Sequence, residues 1–419
     1  MPEYQGIFKV DEKIELEPRV TAFIVAHLQN YSLLESPIDV KGAAYEEIVG
    51  ANLRGDRGEF FTPRNICEMI VKMISPNIHE KVLDPACGTG GFLTIAMNHV
   101  LTQIKESVKK RWRDPLNPTD NERRALFQEI KRYTENNIFG FDLNPNLVKA
   151  TKMNMVMNND GSGSIFQANS LEHPHSWRGE LVTKLQINGS KDIAKYDVVM
   201  TNPPFGTKIP IDDPAILEQF EIAYIWEKQD DGTFKKSERL QKSVPPEILF
   251  IERCLHFLKE DGRMAIVLPD AILGAPGSQF VRFWLLQNVQ VLSSIDLDKD
   301  TFQPKNGTQT SVLFLRKKTS KEKQAEMLSK KMRRYPVFMA MAEKIGHDKR
   351  GNKIYKRDEK GNEIIIKRKE KVKEEESDKI IEREIDVQEK IVFDETPDIA
   401  ELFTEWKNAK KYNFPEFDF

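Results

Sequence analysis

Cysteine and histidine are scarce and scattered in this sequence. The three cysteines, Cys67, Cys87 and Cys254, have neither the spacing of a disulfide framework nor that of a metal site. The seven histidines form no metal-ligand cluster. We therefore expect no bound metal and no disulfide, as is typical of a protein kept in a reducing cytoplasm.

Long apolar runs and a strong charge of one sign are also missing. No run approaches the roughly 20 apolar residues that a membrane-spanning helix needs. The N-terminus, Met1–Tyr4, has neither the basic region nor the apolar core of a signal peptide, so we expect a cytoplasmic protein. The formal net charge of −2 gives no general attraction for nucleic acid, so such a partner would require local basic patches.

The residues that are present suffice for a large core, and their charge is unevenly distributed. Hydrophobic residues make up 39% of the 419 residues, and charged residues 31%, which is above the usual share. The excess charge lies mostly in the C-terminal quarter. We predict a short helical N-terminal segment at 1–58, a folded domain at 59–317 and a charged, largely helical or irregular extension at 318–419.

Strand-like and helix-like patterns alternate through residues 59–317. Alternation of this kind predicts an α/β fold with a doubly wound sheet, and a final strand pair joined by a turn at Asn306-Gly307 predicts an antiparallel edge hairpin. The helix after the second strand has Leu147, Ala150, Met153 and Met157 at helical spacing, which predicts a core-facing stripe. The predicted strands are 81–84, 137–142, 164–170, 196–200, 262–269, 289–297 and 310–315.

The C-terminal extension changes in character along its length. Residues 318–345 indicate a basic helix. Residues 346–392 indicate a solvated or partly disordered arm, with a short exposed hairpin at two Gly-Asn turns or a DNA-contacting surface as alternatives. Residues 399–419 regain large apolar side chains, so we expect this segment to dock on the rest of the chain.

A glycine-rich turn follows the first predicted strand. In Asp84–Phe92 an acidic residue ends the strand, the glycines follow, and a helix begins near Phe92. Glycines let the backbone approach a ligand, and a helix start offers free N–H groups. The spacing matches neither the dinucleotide fingerprint nor the Walker loop. Because a phosphate would meet Asp84, a cationic or hydrogen-bond-donating ligand group suits this turn better.

Polar residues also end or precede other predicted elements. Asp142 ends the second strand, where an acidic residue of a doubly wound sheet commonly takes the two hydroxyls of a ribose. Asn169 ends the third strand, with an amide that could read an adenine edge. Upstream, Thr62 is a candidate N-cap and Pro63 suits a first helical turn, while Phe60 and Phe61 could be a hydrophobic staple.

The fourth predicted strand ends in Thr201-Asn202-Pro203-Pro204-Phe205-Gly206. Neither proline has an N–H for a sheet ladder, so the backbone must leave the sheet as a rigid, extended segment. The side-chain oxygen of Asn202 and the carbonyl of Pro203 can both accept hydrogen bonds from one exocyclic amine, and Phe205 can stack on a flat ring. A plain turn is the alternative for this stretch taken alone.

Taken in order, these stretches resemble the amino-methylating DNA methyltransferases that use S-adenosylmethionine. The sequence is most similar in this respect to the modification subunits of type I restriction-modification systems. The resemblance covers roughly residues 45–317 of the chain, and the motif order fits adenine-N6 chemistry. The matching stretches are Phe60–Pro63, Asp84–Phe92, Asp142, Asn169 and Asn202–Phe205.

The resemblance implies a Rossmann-like methyltransferase domain at 59–317 and a role for each motif. Thr62 and Pro63 would hold the methionine moiety of the cofactor, Asp84 and the turn its amino-acid and sulfonium region, Asp142 the ribose, and Asn169 the adenine. The implied cofactor-binding residues are Phe61, Thr62, Pro63, Asp84, Pro85, Ala86, Cys87, Gly88, Thr89, Gly90, Gly91, Phe92, Asp142 and Asn169. The implied catalytic residues are Asn202, Pro203, Pro204 and Phe205.

The implied activity is transfer of a methyl group from S-adenosylmethionine to adenine N6 of a base flipped out of double-stranded DNA. It needs neither a metal nor a covalent nucleophile, because positioning of the two reactants is the main effect. Phe205, with Phe61 and Trp226 as further candidates, would stack on the flipped base.

The sequence departs from that family at both ends. Fewer than about 60 residues precede Phe60, where type I modification subunits usually carry a long helical domain, and no target-recognition domain is evident after Lys317. We therefore expect DNA specificity to come from a separate specificity subunit, and a restriction subunit is a further candidate partner. The alternatives are a protein-glutamine or RNA methyltransferase, a cofactor-binding scaffold that is inactive without partners, and, less favoured, cytosine-N4 methylation.

Overall fold

The computed structural model describes most of the chain. The described residues are 13, 15–29, 61–112, 114, 118–158, 164–177, 181–182, 193–205, 210–303, 307–376 and 379–409, with backbone alone at 368–376 and 379–386. Most of the predicted segment 1–58 lies outside the described residues, and so do Phe60, Asn306 and residues 206–209 and 410–419.

Helices and strands alternate along the described residues. The helices are α1 (Pro18–Leu28), α2 (Arg64–Ile74), α3 (Gly91–Lys109), α4 (Asp120–Asn137), α5 (Pro145–Met157), α6 (Pro214–Leu217), α7 (Pro246–Phe257), α8 (Asp270–Gly274), α9 (Gln279–Asn288), α10 (Ser320–Ser329) and α11 (Thr396–Asn408). The strands are β1 (Val82–Asp84), β2 (Ile138–Asp142), β3 (Ser164–Gln167), β4 (Tyr196–Thr201), β5 (Tyr224–Lys228), β6 (Phe234–Leu240), β7 (Leu258–Pro269), β8 (Val289–Leu297), β9 (Thr310–Lys317), β10 (Phe338–Ala342), β11 (Ile365–Glu376) and β12 (Lys379–Lys390).

An eight-stranded sheet in the order β10-β8-β9-β7-β4-β1-β2-β3 organises the molecule. Strands β3, β2, β1, β4 and β7 run parallel to one another, and β9 runs antiparallel between β7 and β8. The strand order reverses between β1 and β4, because the chain moves outward from β1 to β3 and then returns to the other side of β1. The predicted fold class, a doubly wound α/β sheet with antiparallel pairing, is confirmed.

Apolar residues alternate between the two faces of this sheet and build two cores. Val82, Val198 and Val312 belong to one core, with α2, α3 and α11, and the next residue of each strand belongs to the other core, with α7 and α9. This alternation has the period of two that a strand imposes. A sheet covered on both faces therefore leaves its strand ends as the open place for a site.

The structure corrects the predicted ends of the sheet. The antiparallel pair β8–β9 is not the edge, because β10 pairs in parallel with β8 and lies outside it. The predicted basic helix at 318–345 is wrong beyond Ser329, since only α10 is helical and 338–342 form the new edge strand. β10 is short and follows a basic run, so its residues show no strong strand pattern.

The C-terminal extension contributes to the packed core. Ile345, Ile399, Ala400 and Phe403 are buried in the same core as α2 and α3. Phe403 stacks on Phe314 of β9 with ring centroids 6.1 Å apart. The packed core therefore does not end at the predicted boundary of 317. The docking expected of the last segment is seen for α11.

Residues 346–364 form two tight turns of the same design. Asp348 accepts hydrogen bonds from the backbone N–H of Arg350 and Asn352 at 2.8 and 2.9 Å, and Asp358 accepts them from Lys360 and Asn362 at 2.9 and 2.8 Å. The ribbon β11–β12 follows the second turn. The predicted turns are present. Most residues of 349–362 are exposed, as the favoured interpretation of a solvated arm predicts, but these described residues form regular turns and not a disordered segment.

Candidate active site

The ends of β1 and β4 meet at the reversal of strand order. Val82 pairs with Val198 and Leu83 with Val199, so Asp84 lies beside the end of β4, where Asn202 follows Thr201. Ligands of doubly wound sheets bind at this kind of switch point, outside the carboxyl ends of the strands. The structure therefore brings the two strongest sequence motifs to one place.

The glycine-rich turn has the backbone conformation that its sequence requires. Gly88 has φ +54° and Gly90 φ +82°, both in the left-handed region that residues with a Cβ rarely adopt. Gly90 is the N-cap of α3, which begins at Gly91. The turn therefore closes tightly between β1 and α3 and leaves the start of that helix at the carboxyl edge of the sheet.

Asp142 binds the glycine-rich turn to β2. One carboxylate oxygen accepts the N–H of Gly88 at 2.9 Å, and the other accepts the N–H of Asn144 at 2.8 Å. A carboxylate has about four lone-pair directions, so each oxygen can still accept a ribose hydroxyl. Asp142, the residue predicted to bind the ribose, thus also holds the glycine-rich turn in place.

Asp84 is buried, and among the described residues no basic side chain acts on it. Its side chain is 1% exposed and accepts the N–H of Ala86 at 3.1 Å. Burial raises the pKa of Asp84 from 3.8 to about 7; Thr201 and the Ala86 N–H oppose the rise, and Asp142 adds to it. Among the described residues, the one charged side chain acting on this pKa is therefore another acid.

The Cys87 thiol is not a nucleophile in this setting. Its side chain is buried, and burial together with Asp142 and Asp84 raises the pKa of the thiol well above its ordinary value. The reactive form of cysteine is the thiolate, which these surroundings disfavour. Cys87 therefore serves packing and the shape of the turn.

The Thr62-Pro63 element lies beside the same turn. α2 begins at Arg64 and its N-cap is Pro63. The prediction that Thr62 is the N-cap is therefore wrong. The thiol of Cys67, one turn into α2, contacts the carbonyl of Thr62 at 3.7 Å, and a Cβ at Gly91 would lie 3.5 Å from that sulfur. The start of α2 and the start of α3 are therefore neighbours.

Asn169 is held by local contacts. Its side-chain oxygen accepts the N–H of Leu171 at 3.1 Å, and its amide nitrogen donates to Glu172 at 3.3 Å. The Trp177 indole donates to its carbonyl at 3.2 Å. These contacts fix the loop after β3, and the predicted contact of Asn169 with an adenine stays a prediction.

The Asn202–Phe205 segment leaves the sheet where the prolines require it. β4 ends at Thr201, Asn202 and Pro204 are half-buried, and Pro203 is buried. Phe205 is only 5% exposed, and its ring meets that of Phe302 edge-on with centroids 6.2 Å apart. Stacking of a base on Phe205 would therefore require one of these two rings to move.

Trp226 is engaged with a neighbouring hairpin strand and helix. Its indole N–H donates to the Glu221 carbonyl at 3.1 Å, and its ring meets Phe283 edge-on at 6.5 Å. Trp226 lies on β5, which pairs with β6 in an antiparallel hairpin.

Sequence reasoning missed three side chains that hold the glycine-rich turn in place. Thr151 and Asn154 on α5 donate to the carbonyls of Gly88 and Thr89, and Ser170 donates to the carbonyl of Pro85 at 2.6 Å. The predicted apolar stripe does not coincide with the buried face of α5. Thr151 and Asn154 are buried, while Met153 and Met157 are only half-buried. The sequence signal that could have indicated these turn-binding side chains is a Thr and an Asn three residues apart on the predicted helix.

Metal and membrane features are absent from the described part of the chain. No cluster of three His, Cys, Asp or Glu side chains there could hold a metal ion. No described helix has both the length and the apolar character needed to cross a bilayer.

Comparison with known proteins gives relatives from restriction systems. The methylase subunit of the type I restriction enzyme EcoEI from Escherichia coli is 28% identical over 278 residues, covering 66% of this chain and 46% of that protein. The type II restriction enzyme and methyltransferase RM.BcgI from Heyndrickxia coagulans is 28% identical over 193 residues, covering 45% and 27%. The chain thus spans less than half the length of these relatives.

A solved structure shows the same fold. The methyltransferase subunit of a type I restriction-modification system from Streptococcus thermophilus superposes with a TM-score of 0.52 at 19% identity, covering 76% of this chain and 60% of that one. A family model described as N-6 DNA Methylase matches residues 36–391, well over half of the chain. The chain belongs to the N-6 DNA methylase family.

Proposed function

We propose that this chain transfers a methyl group from S-adenosylmethionine to N6 of an adenine flipped out of double-stranded DNA. In this proposal it is the modification subunit of a type I-like restriction-modification system and works in the cytoplasm with a separate specificity subunit. A restriction subunit is a further expected partner. The catalytic domain is 59–317, completed by β10 and α11.

The observation that carries this proposal is the meeting of Asp84 and Asn202 at the switch point of the sheet. The strand pairing of β1 with β4 sets the glycine-rich turn beside the Asn202–Phe205 segment. One strand end offers an acidic, glycine-lined place for a cofactor, and its neighbour offers hydrogen-bond acceptors for a base. Two reactants bound there would be adjacent, which is the main requirement of a direct transfer.

The cofactor side of the site fits S-adenosylmethionine by its charge. Burial, with a smaller contribution from Asp142, raises the pKa of Asp84 to about 7, and no described basic side chain offsets this rise. A ligand with an ammonium group would offset that cost. When bound, S-adenosylmethionine supplies an electrophilic methyl carbon on a sulfonium leaving group. Asp142 would accept from its ribose hydroxyls.

The base side of the site orients an amine. The Asn202 side-chain oxygen and the Pro203 carbonyl would accept the two N6 hydrogens, so that the nitrogen lone pair points toward the cofactor. The two prolines fix φ and hold these acceptors on a stiff backbone. The buried Cys87 thiol takes no part as a nucleophile, so the transfer would be direct.

Asn202→Ala tests this division of labour. We expect it to abolish methyl transfer to DNA and to leave binding of S-adenosylmethionine nearly unchanged, because Asn202 contacts the base alone. Transfer of labelled methyl groups and calorimetric binding on the full chain, with its partners for the transfer assay, are the two measurements. Asn136→Ala, on the exposed face of α4, is the control and should change neither. Equal loss of binding and transfer in Asn202→Ala would contradict the assigned roles.

A further inference from the structure

Three consecutive carbonyls of the glycine-rich turn, those of Gly88, Thr89 and Gly90, accept hydrogen bonds from side chains outside the turn. Thr151 donates to the Gly88 carbonyl at 2.6 Å, and Asn154 donates to the Thr89 carbonyl at 3.0 Å. The Gly90 carbonyl accepts from the Thr94 hydroxyl at 3.0 Å. Each of these peptide units therefore has its oxygen directed into the protein, and the face that remains for a ligand is the opposite one.

Thr151 makes three contacts with the turn through one side chain. It is completely buried. Its hydroxyl also lies 3.8 Å from the Cys87 sulfur, and a Cβ at Gly90 would lie 2.7 Å from its methyl carbon. The hydroxyl thus fixes Gly88 while the methyl group fills the space below Gly90.

Asn154 is fixed in turn by two further asparagines. Its side-chain oxygen accepts from the Asn158 amide at 3.1 Å, and the Asn158 oxygen accepts from Asn98 on α3 at 3.4 Å. With its oxygen bound in this way, the amide nitrogen of Asn154 must face the Thr89 carbonyl. The network connects the turn to both helices that flank it, α3 and α5.

We propose that Thr151 and Asn154 are positioning residues for the cofactor turn. They hold the peptide units of Gly88 and Thr89 in the orientation that binds the amino-acid and sulfonium end of S-adenosylmethionine, without contacting the cofactor. This inference rests on the proposed function. It predicts a loss confined to that end of the ligand, because the ribose and adenine are assigned to Asp142 and Asn169.

Thr151→Val is the most direct test, because valine keeps the shape and removes only the donor. A buried carbonyl left without its donor is costly, so we expect S-adenosylmethionine to bind at least about tenfold more weakly to the full-length variant. Adenosine, which lacks the methionine moiety, should bind as it does to the wild type. Thr151→Ser restores the hydroxyl and should bind S-adenosylmethionine within about threefold of the wild type.

Thr134→Val is the matched control. Thr134 is also completely buried, and its hydroxyl donates to a backbone carbonyl, that of Lys131 at 3.0 Å, on α4. The same substitution there should leave the affinity for both ligands unchanged. Hydrogen exchange without ligand gives a second readout: the amides of Gly88–Gly91 should exchange faster in Thr151→Val than in Thr134→Val.

The outcomes separate this inference from the proposed function. If the wild type does not bind S-adenosylmethionine, the proposed function fails and the inference fails with it. If the wild type binds and Thr151→Val binds equally well, only the inference is overturned. Equal losses for adenosine and S-adenosylmethionine would also overturn it, since they would mean a general loss of structure.

Discussion

Asp84 is the residue whose chemistry says most about the ligand. A carboxyl group that is buried and close to a second acid is unstable as an anion. The sequence alone indicates a ligand with a cationic or hydrogen-bond-donating group, because an acid stands where a phosphate-binding turn would have none. The structure adds the degree of burial, which no spacing of residues could show.

Asp84→Asn should change how stability depends on pH. The folded-state pKa of about 7 lies above the ordinary 3.8, so the wild-type free energy of unfolding falls as pH rises from about 4 to about 7 and then levels off. Asparagine can still accept the Ala86 N–H but never ionises. The variant should therefore gain stability over the wild type as pH rises, by at most about 4 kcal/mol.

Urea unfolding of both proteins at pH 5 and pH 8, without ligand, measures this difference. The advantage of Asp84→Asn should be larger at pH 8. Asp120→Asn, at an exposed position on α4, should show no such growth. An advantage that is the same at both pH values would mean that Asp84 ionises normally in the folded protein.

Asp142→Ala should weaken the binding of S-adenosylmethionine before anything else. The change removes the assigned ribose acceptor and leaves the N–H groups of Gly88 and Asn144 without their partner. Calorimetric titration should show a loss of about tenfold or more, in line with hydrogen bonds to a charged group. Unchanged binding would remove Asp142 from the cofactor site.

At the scale of elements, α5 shows where sequence reasoning failed. The apolar spacing predicts that the core-facing stripe of this helix consists of Leu147, Ala150, Met153 and Met157. The buried face instead includes Thr151 and Asn154, whose side chains donate hydrogen bonds to backbone carbonyls of the glycine-rich turn. Periodicity of apolar residues cannot reveal a buried polar residue whose partner comes from a distant part of the chain.

The elements after Lys317 were hidden by composition. β10 follows a run of lysine and arginine, and its outward-facing Met339 and Met341 are exposed while Phe338 packs inward. α11 was expected to dock, but its partner could not be inferred. Asn65 of α2 donates to Ile345 and Asp394 of the extension at 3.0 Å each, which is a contact across about 300 residues of sequence.

Phe403→Ala tests whether α11 belongs to the core. Phe403 is buried against Phe314, Phe338 and Trp406. Removing its ring should lower the free energy of unfolding by about 3–5 kcal/mol, the usual cost of a large buried aromatic.

Leu402→Ala is the control for that prediction, because the neighbouring Leu402 is 55% exposed. It should change stability by less than about 0.5 kcal/mol. Denaturant unfolding of the full chain measures both variants. Equal, small effects would show that the molecule is stable without the packing of α11.

At the scale of the whole molecule, the order of motifs predicted the doubly wound sheet and the meeting of Asp84 with Asn202. Both follow from the rule that polar strand ends of such sheets meet at one edge. The positions of β9 and β10 in the sheet could not be predicted from the order of motifs. β9 inserts antiparallel between β7 and β8, and β10 adds an edge strand, through contacts between residues far apart in sequence. The ring contact between Phe205 and Phe302 could not be predicted for the same reason.

The EcoEI methylase subunit is about twice as long as the part of it that this chain covers, and RM.BcgI is nearly four times as long as its covered part. The proposed function assigns the chemistry to this chain and the choice of DNA sequence to a separate specificity subunit.

Nucleoside mass spectrometry is the measurement that tests this account most directly. DNA would be incubated with S-adenosylmethionine carrying a deuterated methyl group and the purified chain, with and without the proteins encoded beside it. The account predicts deuterated N6-methyladenine when the specificity subunit is present. Label on cytosine N4, on protein or on RNA, or no labelled product with any partner, would contradict it.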